Sequence, residues 1–113
     1  MKKLTLIALI ATLATNTFAH SEIETTSPVD GAVVADVPAE ISIRFANEIR
    51  LTRVDMTHAD HPSVQIDLSA YKRFDRDFLL PIEAMGPGTY RFEWRGLGTD
   101  GHPMQGEFMF TVD

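Results

Sequence analysis

The chain has 113 residues with 16 acidic and 10 basic side chains, no cysteine and a formal net charge of −6. This length fits one domain, and the lack of cysteine excludes a disulfide scaffold and thiolate metal sites. The acidic balance argues against nucleic acid or an anionic membrane as a partner and favours cations.

The first segment, residues 1–19, has the pattern of a secretory signal. Two lysines open it, an apolar run follows, and Thr17-Phe18-Ala19 is a small-x-small cleavage site. We expect cleavage after Ala19, which leaves residues 20–113 as one exported domain. No apolar run of about 18 residues follows the signal, so this domain is not predicted to span a membrane.

Cleavage at that point makes His20 the first residue of the domain. Its free α-amine and its imidazole Nδ1 can together close a six-membered chelate ring on a metal ion. Such a chelate is half of a Cu(II) site, because nitrogen ligands suit this ion. The remaining sequence is therefore expected to supply the other ligands.

The next part of the chain reads as short strands between turns. Turn residues occur at 27–31 and 36–38. An apolar residue at every second position from 41 to 45 predicts a half-buried strand, and 51–56 is predicted to form the next one. After a turn at 59–62, the same alternation predicts a strand from 64 to 68.

The strand signals are clearest in the last third of the chain. A short apolar strand is predicted at 78–82, before a Gly-Pro-Gly turn. Two strands of alternating apolar and polar residues follow, around Phe92 and Phe110. No segment has a helical period, and regular short strands with turns between them predict an all-β antiparallel sandwich.

The segment between these two strands, residues 96–106, carries the other candidate ligands. Asp100 and His102 stand two residues apart, so in an extended segment their side chains face the same way. Pro103 favours an extended backbone at His102. With His20 the donors are three nitrogens and one oxygen, which suit Cu(II), or less well Ni(II), better than a structural zinc site. The sequence leaves open whether the N-terminal strand brings His20 to this loop.

With these residues the chain resembles the bacterial CopC family of periplasmic copper-binding proteins, including its YobA-like members. The resemblance is carried by His20, the Ser-Pro-x-Asp-Gly turn at 27–31, the alternating strands, and Asp-Gly-His-Pro-x-x-Gly at 100–106. It implies a Greek-key β-sandwich of the cupredoxin-like or immunoglobulin-like kind. It also implies one Cu(II) ion per chain, bound by the amine and imidazole of His20, by His102 and by Asp100.

The function that follows from this resemblance is a periplasmic copper carrier or buffer for copper homeostasis, resistance or uptake. An inner-membrane copper transporter of the CopD type is the implied partner, and we expect the chain to be a monomer and not an enzyme. Two alternatives stay open. One is an oxidative enzyme with a histidine-brace copper site, and the other is a structural or adhesion-type sandwich without a specific metal.

A second metal site is a weaker interpretation of the turn at 59–62. His58 and His61 lie close to Met56 in the sequence, but two histidines in such a turn are more simply solvated polar residues. The methionines are otherwise scattered along the chain. We therefore predict no separate Cu(I) site.

Overall fold

A computed structural model describes residues 23–113, in which every regular element is a strand, so the all-β prediction is confirmed. The strands are β1 (Ile23–Ser27), β2 (Val33–Val34), β3 (Glu40–His58), β4 (Val64–Gln65), β5 (Asp75–Pro81), β6 (Gly88–Gly98) and β7 (Pro103–Val112). The predicted signal and His20 lie outside the described residues. Within 23–113 no helix has the length and hydropathy that a membrane span requires.

Strand β3 belongs to both layers of the sandwich. Its first part pairs with β1 on one side and β5 on the other, and its second part, from Ile49 to His58, pairs with β6. The second layer continues from β6 to β7 and then to β2, while β4 adds to the other edge of β3. All pairs are antiparallel, as predicted, except the short parallel pair of β2 and β7.

The prediction of two separate strands at 41–45 and 51–56 is therefore wrong. Both belong to the 19-residue strand β3, because the exposed residues 46–48 between them stay extended where the strand passes from one layer to the other. Polar residues at such a bend look like a loop in the sequence. In the structure they let one strand serve both layers.

A β-bulge at Thr52 changes which side chains of β3 point inward. Leu51 lies opposite Gly96, but Arg53 lies opposite Arg95, so Thr52 is one extra residue on β3. The Thr52 hydroxyl donates a hydrogen bond to the carbonyl of Arg95 at 3.2 Å. Buried positions are consequently odd-numbered before the bulge and even-numbered after it.

Aromatic side chains from both layers form the centre of the core. Trp94 on β6 meets Phe45 on β3 edge-to-face, with ring centroids 4.9 Å apart, and Phe45 meets Phe78 on β5 in the same way at 5.7 Å. Gly106 makes room for the indole, because a Cβ atom there would lie 2.8 Å from Trp94 Nε1. The core thus ties the two layers together through large rings.

Two tyrosine hydroxyl groups each bind one backbone N–H and one backbone carbonyl. The buried hydroxyl of Tyr90, at the start of β6, accepts from the N–H of Met85 and donates to the carbonyl of Gly86, both at 2.8 Å. This is the arrangement of a tyrosine corner. Tyr71 makes the same pair of hydrogen bonds at the edge of β5. Its hydroxyl accepts from the N–H of Leu79 at 3.1 Å and donates to the carbonyl of Leu79 at 2.8 Å.

The strand predicted from 64 to 68 is shorter than expected. Only Val64–Gln65 pairs with β3, although Ile66 still donates its N–H to the carbonyl of Val54 at 2.8 Å. The chain then turns away, because the carbonyl of Leu68 accepts from the N–H of Tyr71. The apolar alternation from 64 to 68 therefore marks side chains that pack against the core, although most of this segment forms no ladder with β3.

Candidate metal centre

A tight turn between β6 and β7 carries the two predicted ligands that the structure describes. The strands extend to Gly98 and from Pro103, so only four residues connect them, rather than the longer loop predicted at 96–106. Gly98 N–H donates to the carbonyl of His102, and Gly101 N–H donates to the carbonyl of Gly98, both at 2.9 Å. Gly101 has a φ of +85°, a conformation that glycine adopts without strain.

Asp100 and His102 lie side by side in this tight turn, where the sequence predicted an extended segment. The imidazole Nδ1–H of His102 donates to Asp100 Oδ2 at 2.8 Å, and the backbone N–H of His102 donates to Asp100 Oδ1 at 3.1 Å. Both side chains are largely exposed, at 65% for Asp100 and 78% for His102. The pair is therefore ordered by its own hydrogen bonds while remaining open to solvent.

The hydrogen bonds also affect the charge of the pair. The bond from the His102 ring, and then the one from its backbone N–H, lower the pKa of Asp100 below the ordinary carboxyl value. With the proton of a neutral imidazole on Nδ1, the lone pair of Nε2 is available to a metal ion. The carboxylate also keeps lone pairs that can accept a cation. An imidazole and a carboxylate are donors that Cu(II) accepts.

No third histidine or carboxylate joins this pair to form a metal-binding group within residues 23–113. The third predicted ligand, His20, lies outside that range. The position of β1 nevertheless indicates the end of the sandwich from which the chain toward His20 leaves. Ile23 at the start of β1 pairs with Phe45, just before the bend of β3, and Ile49 just after the bend pairs with Gly98 beside the turn.

The start of β1 and the Asp100–His102 turn accordingly lie at the same end of the sandwich. His20 precedes Ile23 by three positions in the sequence, and three residues of fully extended chain span at most about 10 Å. The topology thus shows which end of the fold β1 starts from. Whether His20 reaches the turn stays a prediction, because His20 lies outside the described residues.

His58, the last residue of β3, and His61, in the turn that follows, lie at the other end of β6. His58 is opposite Tyr90, and it is only 5% exposed, so the interpretation of it as solvated is wrong. Its Nε2–H donates to the carbonyl of Pro87 at 2.7 Å, and its ring stacks on His61 with centroids 5.3 Å apart. His58 is buried because the bulge at Thr52 turns it inward. A shift in apolar parity from Leu51 to Val54 is the sequence signal for that bulge.

Comparison with known proteins adds an independent finding. Residues 23–113 match the protein family described as "CopC domain". Copper resistance protein C of Xanthomonas campestris pv. juglandis is 31% identical over 118 residues, covering 96% of this chain and 92% of the relative.

Solved structures agree with the fold. CopC from Methylosinus trichosporium OB3b superposes with a TM-score of 0.62 at 24% identity, covering 83% of this chain and 94% of that one. PcoC, a methionine-rich copper resistance protein from Escherichia coli, gives a TM-score of 0.57 at 27% identity, with 81% and 97% covered.

Proposed function

Because this chain belongs to the CopC family of copper-handling proteins, we propose that it is a periplasmic Cu(II)-binding protein that carries or buffers copper. The observation that supports this best is the hydrogen-bonded Asp100–His102 pair in an exposed turn at the end of the sandwich where β1 starts. The acidic net charge of the chain suits a cationic cargo.

The proposed site holds one Cu(II) ion with the amine and imidazole of His20, the imidazole of His102 and the carboxylate of Asp100. Three nitrogens and an oxygen fit the tetragonal preference of this ion. The site requires removal of residues 1–19, since a peptide bond before His20 would turn its amine into an amide, which is a poor ligand. Export to the periplasm and maturation of the site are then one event.

Protons compete with copper for this set of ligands. An α-amine has an ordinary pKa of about 7.7 to 8.0 and a histidine one of about 6.5, so copper binding at neutral pH releases protons. We expect the affinity to fall as the pH is lowered. The exposed turn also leaves a bound ion accessible to an incoming ligand, which suits transfer to a membrane copper transporter of the CopD type.

The test compares two proteins: one that starts at His20 and one with a single extra glycine before it. Cu(II) titration and electron paramagnetic resonance are measured on both, with Trp94 fluorescence as a second signal. We expect one-to-one binding with several nitrogen ligands for the first protein and much weaker binding for the second. Equal, weak binding by both proteins would exclude the site.

The same proteins separate the carrier from a histidine-brace enzyme. A carrier holds copper without consuming oxygen beyond the background of free copper and reductant. An enzyme that activates oxygen would consume it faster when a reductant and a substrate are present. The relatives' names speak of copper resistance, which agrees with a binding role.

A further inference from the structure

Met104 lies beside the Asp100–His102 turn, although the sequence gives no sign of this. It is the second residue of β7, opposite Gly96, and it is partly buried and packed against the core between two exposed neighbours. A side chain that points inward at this end of β7 lies directly beneath the turn.

Gly98 shows how close the two groups are. A Cβ atom added to Gly98 would lie 2.8 Å from Met104 Cε and 3.1 Å from Asp100 Oδ1. The methyl end of Met104 and the carboxylate of Asp100 therefore rest against the same glycine. Methionine has three rotatable side-chain bonds, so small rotations can move its sulfur toward an ion at the turn.

The donors at the turn differ in the oxidation state of copper that they prefer. Carboxylate oxygen and amine nitrogen suit Cu(II), whereas the soft thioether of methionine selects Cu(I), and imidazole binds copper in either state. We infer that Met104 is a ligand for reduced copper, which it holds together with His102 at the same turn that binds Cu(II). This inference rests on the proposed function, because it assumes that copper binds at the turn.

One consequence is that the chain needs no separate, methionine-rich cluster to hold Cu(I). Cu(I) would be held through the sulfur of Met104 where Cu(II) is held through the oxygen of Asp100, at the same end of the sandwich. The other partly or fully buried methionines of the core, Met56 and Met85, line a different cavity of about 230 Å³ together with Ile66. Among the methionines of residues 23–113, only Met104 lies close enough to the turn to contribute a sulfur ligand there.

The test uses the protein that starts at His20, with Met104→Leu as the variant and Met109→Leu as the matched control. Leucine keeps the volume and apolar character but has no sulfur. Met109 is on the same strand but opposite Arg91, away from the turn. Cu(I) affinity is measured without oxygen by competition with a coloured Cu(I) chelator, and X-ray absorption of the Cu(I) form reports a sulfur neighbour.

We expect Met104→Leu to weaken Cu(I) binding by about tenfold or more, since loss of even an indirect partner of a metal site costs that much. The sulfur neighbour should disappear, while the Cu(II) resonance spectrum and the melting temperature stay as in the unsubstituted protein. Met109→Leu should change neither the Cu(I) affinity nor the sulfur signal.

Each other outcome is equally informative. Unchanged Cu(I) affinity with no sulfur neighbour would overturn the inference and leave the Cu(II) proposal intact. Failure to bind Cu(II), with Cu(I) still bound and lost on Met104→Leu, would refute the proposed Cu(II) function and support the Met104 site. Binding of neither ion by the unsubstituted protein would refute both.

Discussion

Replacing Tyr90 by phenylalanine tests how much the tyrosine corner stabilises the fold. The substitution removes one hydroxyl and nothing else from a residue that is completely buried. It leaves the N–H of Met85 and the carbonyl of Gly86 without the partner that each has at 2.8 Å. A typical hydrogen bond contributes about 0.5–1.5 kcal/mol net, so the loss of two predicts about 1–3 kcal/mol.

The matched control is Tyr71→Phe, which also removes a hydroxyl that both accepts from and donates to the backbone. Its partners are the N–H and C=O of Leu79 on an exposed strand edge, where water can replace them. We expect a loss of no more than about 0.5 kcal/mol there, as for most surface substitutions. The comparison therefore isolates burial, since the chemistry of the two substitutions is the same.

Urea unfolding followed by Trp94 fluorescence measures both variants, and a thermal scan checks them. For a domain of this size about 1 kcal/mol corresponds to about 4–8 °C, so Tyr90→Phe should lower the melting temperature by about 8–16 °C for a loss near 2 kcal/mol. Equal losses in the two variants, or a larger loss for Tyr71→Phe, would refute the argument that burial makes the corner strong.

Three further outcomes follow from the core and the turn. Gly106→Ala should destabilise the fold by about 1–3 kcal/mol in urea unfolding, because the new methyl group would lie 2.8 Å from Trp94 Nε1. An unchanged free energy of unfolding would mean that the indole moves aside freely. Since its folded-state pKa is lowered, ionised Asp100 favours the folded state above the ordinary carboxyl value of about 3.9, and this contribution is lost as the pH falls through the folded-state value. In a carboxyl NMR titration, His102→Gln should move the midpoint of Asp100 upward, and an unchanged midpoint would exclude the ring as the main cause. The same variant should lose tight Cu(II) binding, and its metal-free melting temperature at neutral pH should fall only slightly, because residue 102 is exposed.

Alternation of apolar residues predicted most of the fold, because each strand buries one face. It located the inward positions of β6 and β7 correctly and placed a strand at Phe78. It split β3 in two, since the exposed residues 46–48 have no apolar member to mark them as extended. The parallel pairing of β2 with β7 also escaped prediction, because a two-residue strand is too short for a period.

The candidate site was predictable in its local part only. The spacing of Asp100 and His102 around a glycine is a property of the chain itself, so their convergence followed from sequence. Met104 is also near in sequence, but its contact with Gly98 depends on the register of β6 and β7. His58 was misjudged because its burial depends on a bulge six residues earlier.

The two layers of the sandwich have one strand in common, since β3 is a member of each. Neither layer can come apart while the other stays intact without breaking the ladder of that strand. Unfolding should therefore be cooperative, with a single transition by every probe. The amide protons of β3 that lie in its ladders should exchange with solvent only when the whole domain opens, and those of the turn at 99–102 should exchange far sooner. The turn that carries Asp100 and His102 can therefore open locally while the two layers stay folded.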